Sequence, residues 1–137
     1  ELIEGGDVVK LLARGPAEGV DHPDHTMHQI AEALAGLVSV THSTTQTVLL
    51  EISRGDTSKA TGLAALARHH NIRREDVIAI GDMPNDLPML RWAGTGLAVA
   101  NAHPRVLSDV GEPNVRPANT EDGVARVIED LLSAGSD

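Results

Sequence analysis

The stretch Val77-Ile78-Ala79-Ile80 constrains the fold of this chain more than any other, being wholly apolar and closed at once by Gly81-Asp82. With no polar residue to mark a solvent side, it reads as a strand buried on both faces, as parallel sheets require. Its surroundings alternate in type. A helix is expected over 58–70, with Leu63, Leu66 and Ala67 on one face and Asn71 as its stop. A short helix from Asn85 to Trp92 follows the strand, then Gly94-Thr95-Gly96 and a second strand, Leu97–Ala100. Another helix over 103–110, a minimal strand at Asn114–Arg116 and a last helix, opened by Thr120, Glu121 and Asp122 and running to Leu132, complete the pattern. Strand and helix alternating at this spacing predict a parallel, doubly wound α/β layer.

The first 55 residues have another rhythm. Val8–Ala13 reads as a strand ending at Arg14-Gly15-Pro16, and a loop leads to Asp24. Asp24 is placed to cap a helix running to Ala35, whose Met27, Ile30, Ala31 and Leu34 recur at helical spacing. Two strands, Leu37–Thr41 and Thr47–Ile52, are joined through His42–Gln46. The order is β-α-β-β, and Arg54-Gly55-Asp56 marks the boundary with the second part.

Composition narrows the function classes. Eleven basic residues against twenty acidic ones give a net charge of -9, which disfavours a binder of nucleic-acid backbones. The absence of cysteine excludes disulfides, thiolate metal sites and thiol nucleophiles together. No apolar run is long enough to span a membrane and no secretory signal opens the sequence, so a cytoplasmic protein is expected. One Trp and no Phe or Tyr leave the core to Val, Leu, Ile and Ala, with Trp92 packed among them.

Chemistry concentrates in Gly81-Asp82-Met83-Pro84-Asn85-Asp86. In an open α/β sheet, ligands bind beyond the carboxyl ends of the strands, where these side chains emerge. Asp82 and Asp86, four apart, can face one crevice and suit a hard, oxygen-liking cation, of which Mg²⁺ is the default. The plainer alternative is that Asp82 ends a strand while Asn85 or Asp86 caps a helix. Lys59 adds a second signal. A lysine at a helix N-terminus opposes the macrodipole, so a phosphate or a carboxylate close by would account for it; a solvated surface lysine is the rival reading.

In order, these motifs resemble the haloacid dehalogenase (HAD) superfamily, in its Cof-like branch with a type IIB cap. The matching series runs from Leu49-Leu50-Glu51-Ile52 and Ser58-Lys59-Ala60 through Val77–Leu90 to Ala93-Gly94, Gly96, Val99-Ala100-Asn101-Ala102 and Glu121–Ala125. The resemblance implies that residues 1–55 are the C-terminal part of an α+β cap and 56–137 the C-terminal half of a Rossmann-like core. It also implies a Mg²⁺-dependent phosphohydrolase acting on a small phosphomonoester, a sugar phosphate or nucleotide, through an aspartyl-phosphate. At the matching positions, Lys59 holds phosphoryl group and nucleophile together, Asp82 binds Mg²⁺, Asp86 supports the metal shell and Asn85 reaches metal water or phosphate. Phosphomutase activity of the phosphomannomutase type and a non-catalytic binding module are the rival functions.

One departure is large. The family's nucleophile lies in an Asp-x-Asp motif, which occurs nowhere in these 137 residues; Asp21-His22-Pro23-Asp24 has the wrong spacing. The sequence also begins at Glu1 rather than Met. The expectation is therefore a longer gene product, with this chain alone inactive. The family pairs its first strand with the equivalent of Val77–Ile80, so that edge is expected to be open here, awaiting upstream residues or a partner chain.

Weaker signals complete the inventory. Asp21, Asp24, His25 and His28 have the residue types of a metal cluster, though helix starts are often rich in Asp and His. His42, in the hairpin of the cap, is a candidate specificity residue, with a solvated turn as the alternative. His69-His70 end a helix, where cations suit the dipole, and His103 is placed to open one.

Overall fold

The computed structural model describes residues 10–15, 23–41 and 49–135. The chain divides into two compact units, Glu1–Thr57 and Ser58–Asp137.

In the first unit, β1 (Leu11–Arg14), α1 (Pro23–Ala33), β2 (Val38–Thr41) and β3 (Leu49–Arg54) form a three-stranded antiparallel sheet of order β1-β3-β2 with one helix. Ile52 pairs with Leu11 on one side and Val40 on the other. This sets an apolar row on one face, since side chains alternate along a strand. Fully buried Met27 of α1 meets Leu50 there, with Ile30, Val40 and Ile52 around them.

The second unit is the α/β layer. α2 (Lys59–His69), β4 (Ile78–Gly81), α3 (Leu87–Trp92), β5 (Thr95–Val99), α4 (Pro104–Val110), β6 (Val115–Arg116) and α5 (Gly123–Ala134) surround a parallel sheet of order β4-β5-β6. Its core is aliphatic: Val77, Ala79, Leu90, Ala98, Val99 and Val106 are buried, with Trp92 packed against them. Ser58 caps α2 by a reciprocal pair: its Oγ accepts from the Thr61 N–H at 3.1 Å, and Thr61 Oγ1 accepts from the Ser58 N–H at 2.9 Å. After α2, Asn71 takes a left-handed conformation at φ 56°, the stop expected of it.

Three sequence expectations are corrected. β4 is not buried on both faces: Ile78 is 38% exposed, because among the described residues β4 has a neighbour on only one side. β5 starts at Thr95 rather than Leu97, since Gly96 has no Cβ to block the carbonyl of Leu90, which would stand 2.4 Å from one. α5 starts at Gly123, after a 3₁₀ turn over Asn119–Glu121 and a left-handed Asp122 at φ 59°. There the Glu121 carboxylate accepts from the Ala118 N–H at 3.2 Å, so it closes the turn instead of entering the helix.

At Gly123 a Cβ would lie 1.9 Å from the carbonyl oxygen of Pro117, which is backbone and cannot swing aside. Gly123→Ala is expected to destabilise the chain by about 1–3 kcal/mol, the usual cost of overpacking. A urea unfolding midpoint equal to that of the parent would contradict this contact.

Candidate active site at the carboxyl end of β4

The site begins with a glycine. Gly81 ends β4, and a Cβ on it would stand 2.6 Å from the Cβ of Asp86. Glycine at 81 therefore lets the next turn fold back against the strand end. That turn is a 3₁₀ helix, Pro84–Asp86, running directly into α3. The single helix expected over Asn85–Trp92 is thus two pieces, and the first carries Asn85 and Asp86 at the strand's tip.

Asp86 is 3% exposed, the one buried ionisable group among the described residues. Its Oδ2 accepts from the backbone N–H of Asp82 at 3.0 Å and of Met83 at 3.1 Å. Its Oδ1 pairs with the Lys59 ammonium, which comes from the first residue of α2 and remains half-exposed. Burial works to raise the pKa of this carboxyl. The hydrogen bonds from Lys59, Met83 and Asp82, with the charge of Lys59, outweigh it and hold the pKa below the ordinary value. So the cation at the helix start, which the macrodipole alone disfavours, is held there by a carboxylate.

Asp82 differs from Asp86 in every respect. It is exposed, and its backbone carries the structural work: the N–H donates to Asp86, and the carbonyl accepts from the His103 N–H at 2.8 Å. Its carboxylate is left to face solvent. Asn85 is partly buried, and its Oδ1 is fully buried with no hydrogen-bond partner among the described residues. A buried acceptor without a donor is costly unless something completes it.

A Mg²⁺ ion takes few protein ligands, all oxygen, and keeps water and phosphate for the rest. The Asp82 carboxylate and the unfilled Asn85 oxygen fit that demand. Both Asp86 oxygens accept hydrogen bonds within the protein, so this carboxylate holds Lys59 and the loop in place. Among the described residues no group of three His, Asp or Glu side chains could hold a metal ion. Asp21 and His42 lie outside the described residues. His28 Nε2 stands 3.4 Å from Glu32 on its own helix, and His69 and His70 stack edge to face at the end of α2.

The sequence reading missed two contributors. His103 opens α4 as expected, its Nδ1 accepting from the Arg105 N–H at 3.1 Å, yet its N–H also holds the Asp82 carbonyl. The Asn101 side chain accepts from the Asn119 N–H at 2.9 Å, tying the loop after β5 to the turn before α5. Only their position after β5, at the same end of the sheet as Asp82, could have pointed to them.

Residues 3–128 match the family of haloacid dehalogenase-like hydrolases. The chain is 36% identical over 85 residues to the 5-amino-6-(5-phospho-D-ribitylamino)uracil phosphatase YitU of Bacillus subtilis, covering 62% of this chain and 31% of that protein. It is 40% identical over 78 residues to a phosphoglycolate phosphatase of Methanosarcina acetivorans, covering 57% and 34%. The crystal structure of a haloacid dehalogenase-like hydrolase from Bacteroides thetaiotaomicron superposes with a TM-score of 0.65 at 32% identity, covering 91% of this chain and 44% of that one. The chain spans about a third of the length of these curated relatives.

Proposed function

The chain belongs to the haloacid dehalogenase-like hydrolases, and on that premise we propose that it is the phosphate- and metal-holding part of a Mg²⁺-dependent phosphatase of small phosphomonoesters. Sugar phosphates and nucleotides are the substrate class, and the cytoplasm, where such compounds are held, is the expected setting. One observation carries the reading: a half-exposed lysine fixed by a buried carboxylate, beside an exposed Asp82 and an unsatisfied Asn85. The phosphatase names of two relatives support it.

Phosphoryl transfer is mostly positioning and neutralisation of developing negative charge. Lys59 supplies a fixed cation: its bond to Asp86 sets the ammonium, and its remaining N–H groups, which have no other acceptor among the described residues, can meet phosphoryl oxygens. Asp82 would hold Mg²⁺, and Asn85 would direct its amide oxygen to the metal's water shell. When bound, Mg²⁺ supplies charge neutralisation at the phosphoryl oxygens. The nucleophilic carboxylate is assigned to upstream residues of the complete protein. A strand added at the open edge of β4 would have to run parallel to it, because only then does its carboxyl end reach Lys59 and Asp82.

The test compares two proteins. The complete gene product should hydrolyse p-nitrophenyl phosphate with Mg²⁺ and stop when EDTA is added, while the 137-residue chain should stay at background. A complete protein without Mg²⁺-dependent hydrolysis overturns the proposal. Turnover by the short chain would place the nucleophile within it.

A further inference from the structure

The loop between β5 and α4 is held at three points. Its Ala100 N–H donates to the Arg116 carbonyl at 2.8 Å. The Asn101 side chain accepts from the Asn119 N–H at 2.9 Å. The His103 N–H donates to the Asp82 carbonyl at 2.8 Å. Between the last two, Ala102 is 7% exposed and donates its own N–H to the Val99 carbonyl at 2.9 Å, so the segment is short, buried at its centre and stiff.

From this chain of contacts we infer that Asn101 is a positioning residue for the Asp82 carboxylate, resting on the reading of Asp82 as the metal-holding residue. Asn101 touches no reacting atom. It anchors the β5–α4 loop to the turn before α5, and the other end of that loop holds the backbone of Asp82. Asp82 itself is exposed, so no side-chain packing fixes its aim. Among the described residues, the hydrogen bonds that hold it use its backbone: one to Asp86 and one from His103. When the Asn101 anchor is lost, the loop loosens, and the Asp82 carbonyl loses the rigidity of its donor.

The anchor can be cut from either side. Asn101→Ala removes the acceptor. Asn119→Pro removes the donor at the first residue of a 3₁₀ turn, where proline is tolerated. The preceding Ala118 already has φ −60° and ψ 159°, which a following proline accepts. Asn101→Asp keeps an acceptor oxygen in place.

The complete protein serves for the test, with Mn²⁺ binding followed by electron paramagnetic resonance and Mg²⁺ activation of p-nitrophenyl phosphate hydrolysis. N101A and N119P should each weaken Mn²⁺ binding and raise the Mg²⁺ activation constant by about three- to tenfold, the scale of one neutral hydrogen bond. The double variant should be no worse than either single one, and N101D should restore binding. A merely structural anchor would lower the melting temperature and leave Mn²⁺ affinity unchanged, which overturns the inference. So would additive losses in the double variant. A parent protein that binds no Mn²⁺ overturns the metal reading of Asp82 and this inference together. A parent that binds it while N101A and N119P match it overturns the positioning role alone.

Discussion

Asp82→Ala in the complete protein is expected to cut Mg²⁺-dependent turnover of p-nitrophenyl phosphate by about 10²-fold or more, the scale seen when one charge-stabilising group is removed from an active site. The fold should hardly notice. The Asp82 side chain is exposed, and both of its structural bonds, to Asp86 and from His103, use backbone atoms that alanine retains. Exposed substitutions of this kind usually stay within about 0.5 kcal/mol. The two readouts thus separate a functional carboxylate from one that merely ends a strand. A variant with parental turnover and parental stability would establish the second.

Asp86 should behave in the opposite way. Asp86→Ala removes the acceptor of two backbone N–H groups in a turn that is otherwise closed, and frees Lys59. Each stranded N–H costs about 1–3 kcal/mol where water cannot reach it, while the half-exposed ammonium can turn to solvent and adds little. A loss of about 2–3 kcal/mol in urea unfolding is the expected result, accompanied by a fall in turnover as Lys59 loses its orientation. The pH dependence has a definite sign. The folded-state pKa of Asp86 lies below its unfolded value, so its contribution is fully present above the ordinary carboxylate range near 4 and disappears as pH falls through the folded value. Asp86→Asn removes the titrating group, and its unfolding midpoint should fall less steeply than that of the parent between pH 5 and pH 3. Parallel acid limbs in the two proteins would show that Asp86 carries no such linkage.

Much of this arrangement can be read from the residues alone, and the exceptions share a cause. The apolar run before Gly81 and the stop at Asn71 are local signals, and the elements they mark are present. The pairing of Lys59 with Asp86 is not local in sequence; a lysine at a helix start shows only that some anion should be near. An apolar strand carries no mark of where the sheet ends, so the run alone reads as buried on both faces; only the family resemblance, with its absent first strand, points to an open edge beside Ile78. The late start of α5 was missed because Glu121 and Asp122 are good first-turn residues for a helix, and only the left-handed backbone of Asp122 moves the boundary. Backbone donors such as the N–H of His103 carry no residue signature, so Asn101 and His103 could not be joined to Asp82 before the fold was known.

The tie between Lys59 and Asp86 has a consequence for how the site is assembled. The described hydrogen bonds and ion pair of the Asp82–Asp86 turn come from the stretch between Ser58 and His103, one β-strand with the helix before it and the loop after its neighbour. Closing loops this short costs little chain entropy, and contacts of low sequence separation form fast. The cationic half of the centre can therefore be preassembled by its own neighbourhood and wait as a rigid template. Under the proposed function, a nucleophile carried by upstream residues would dock onto geometry already in place.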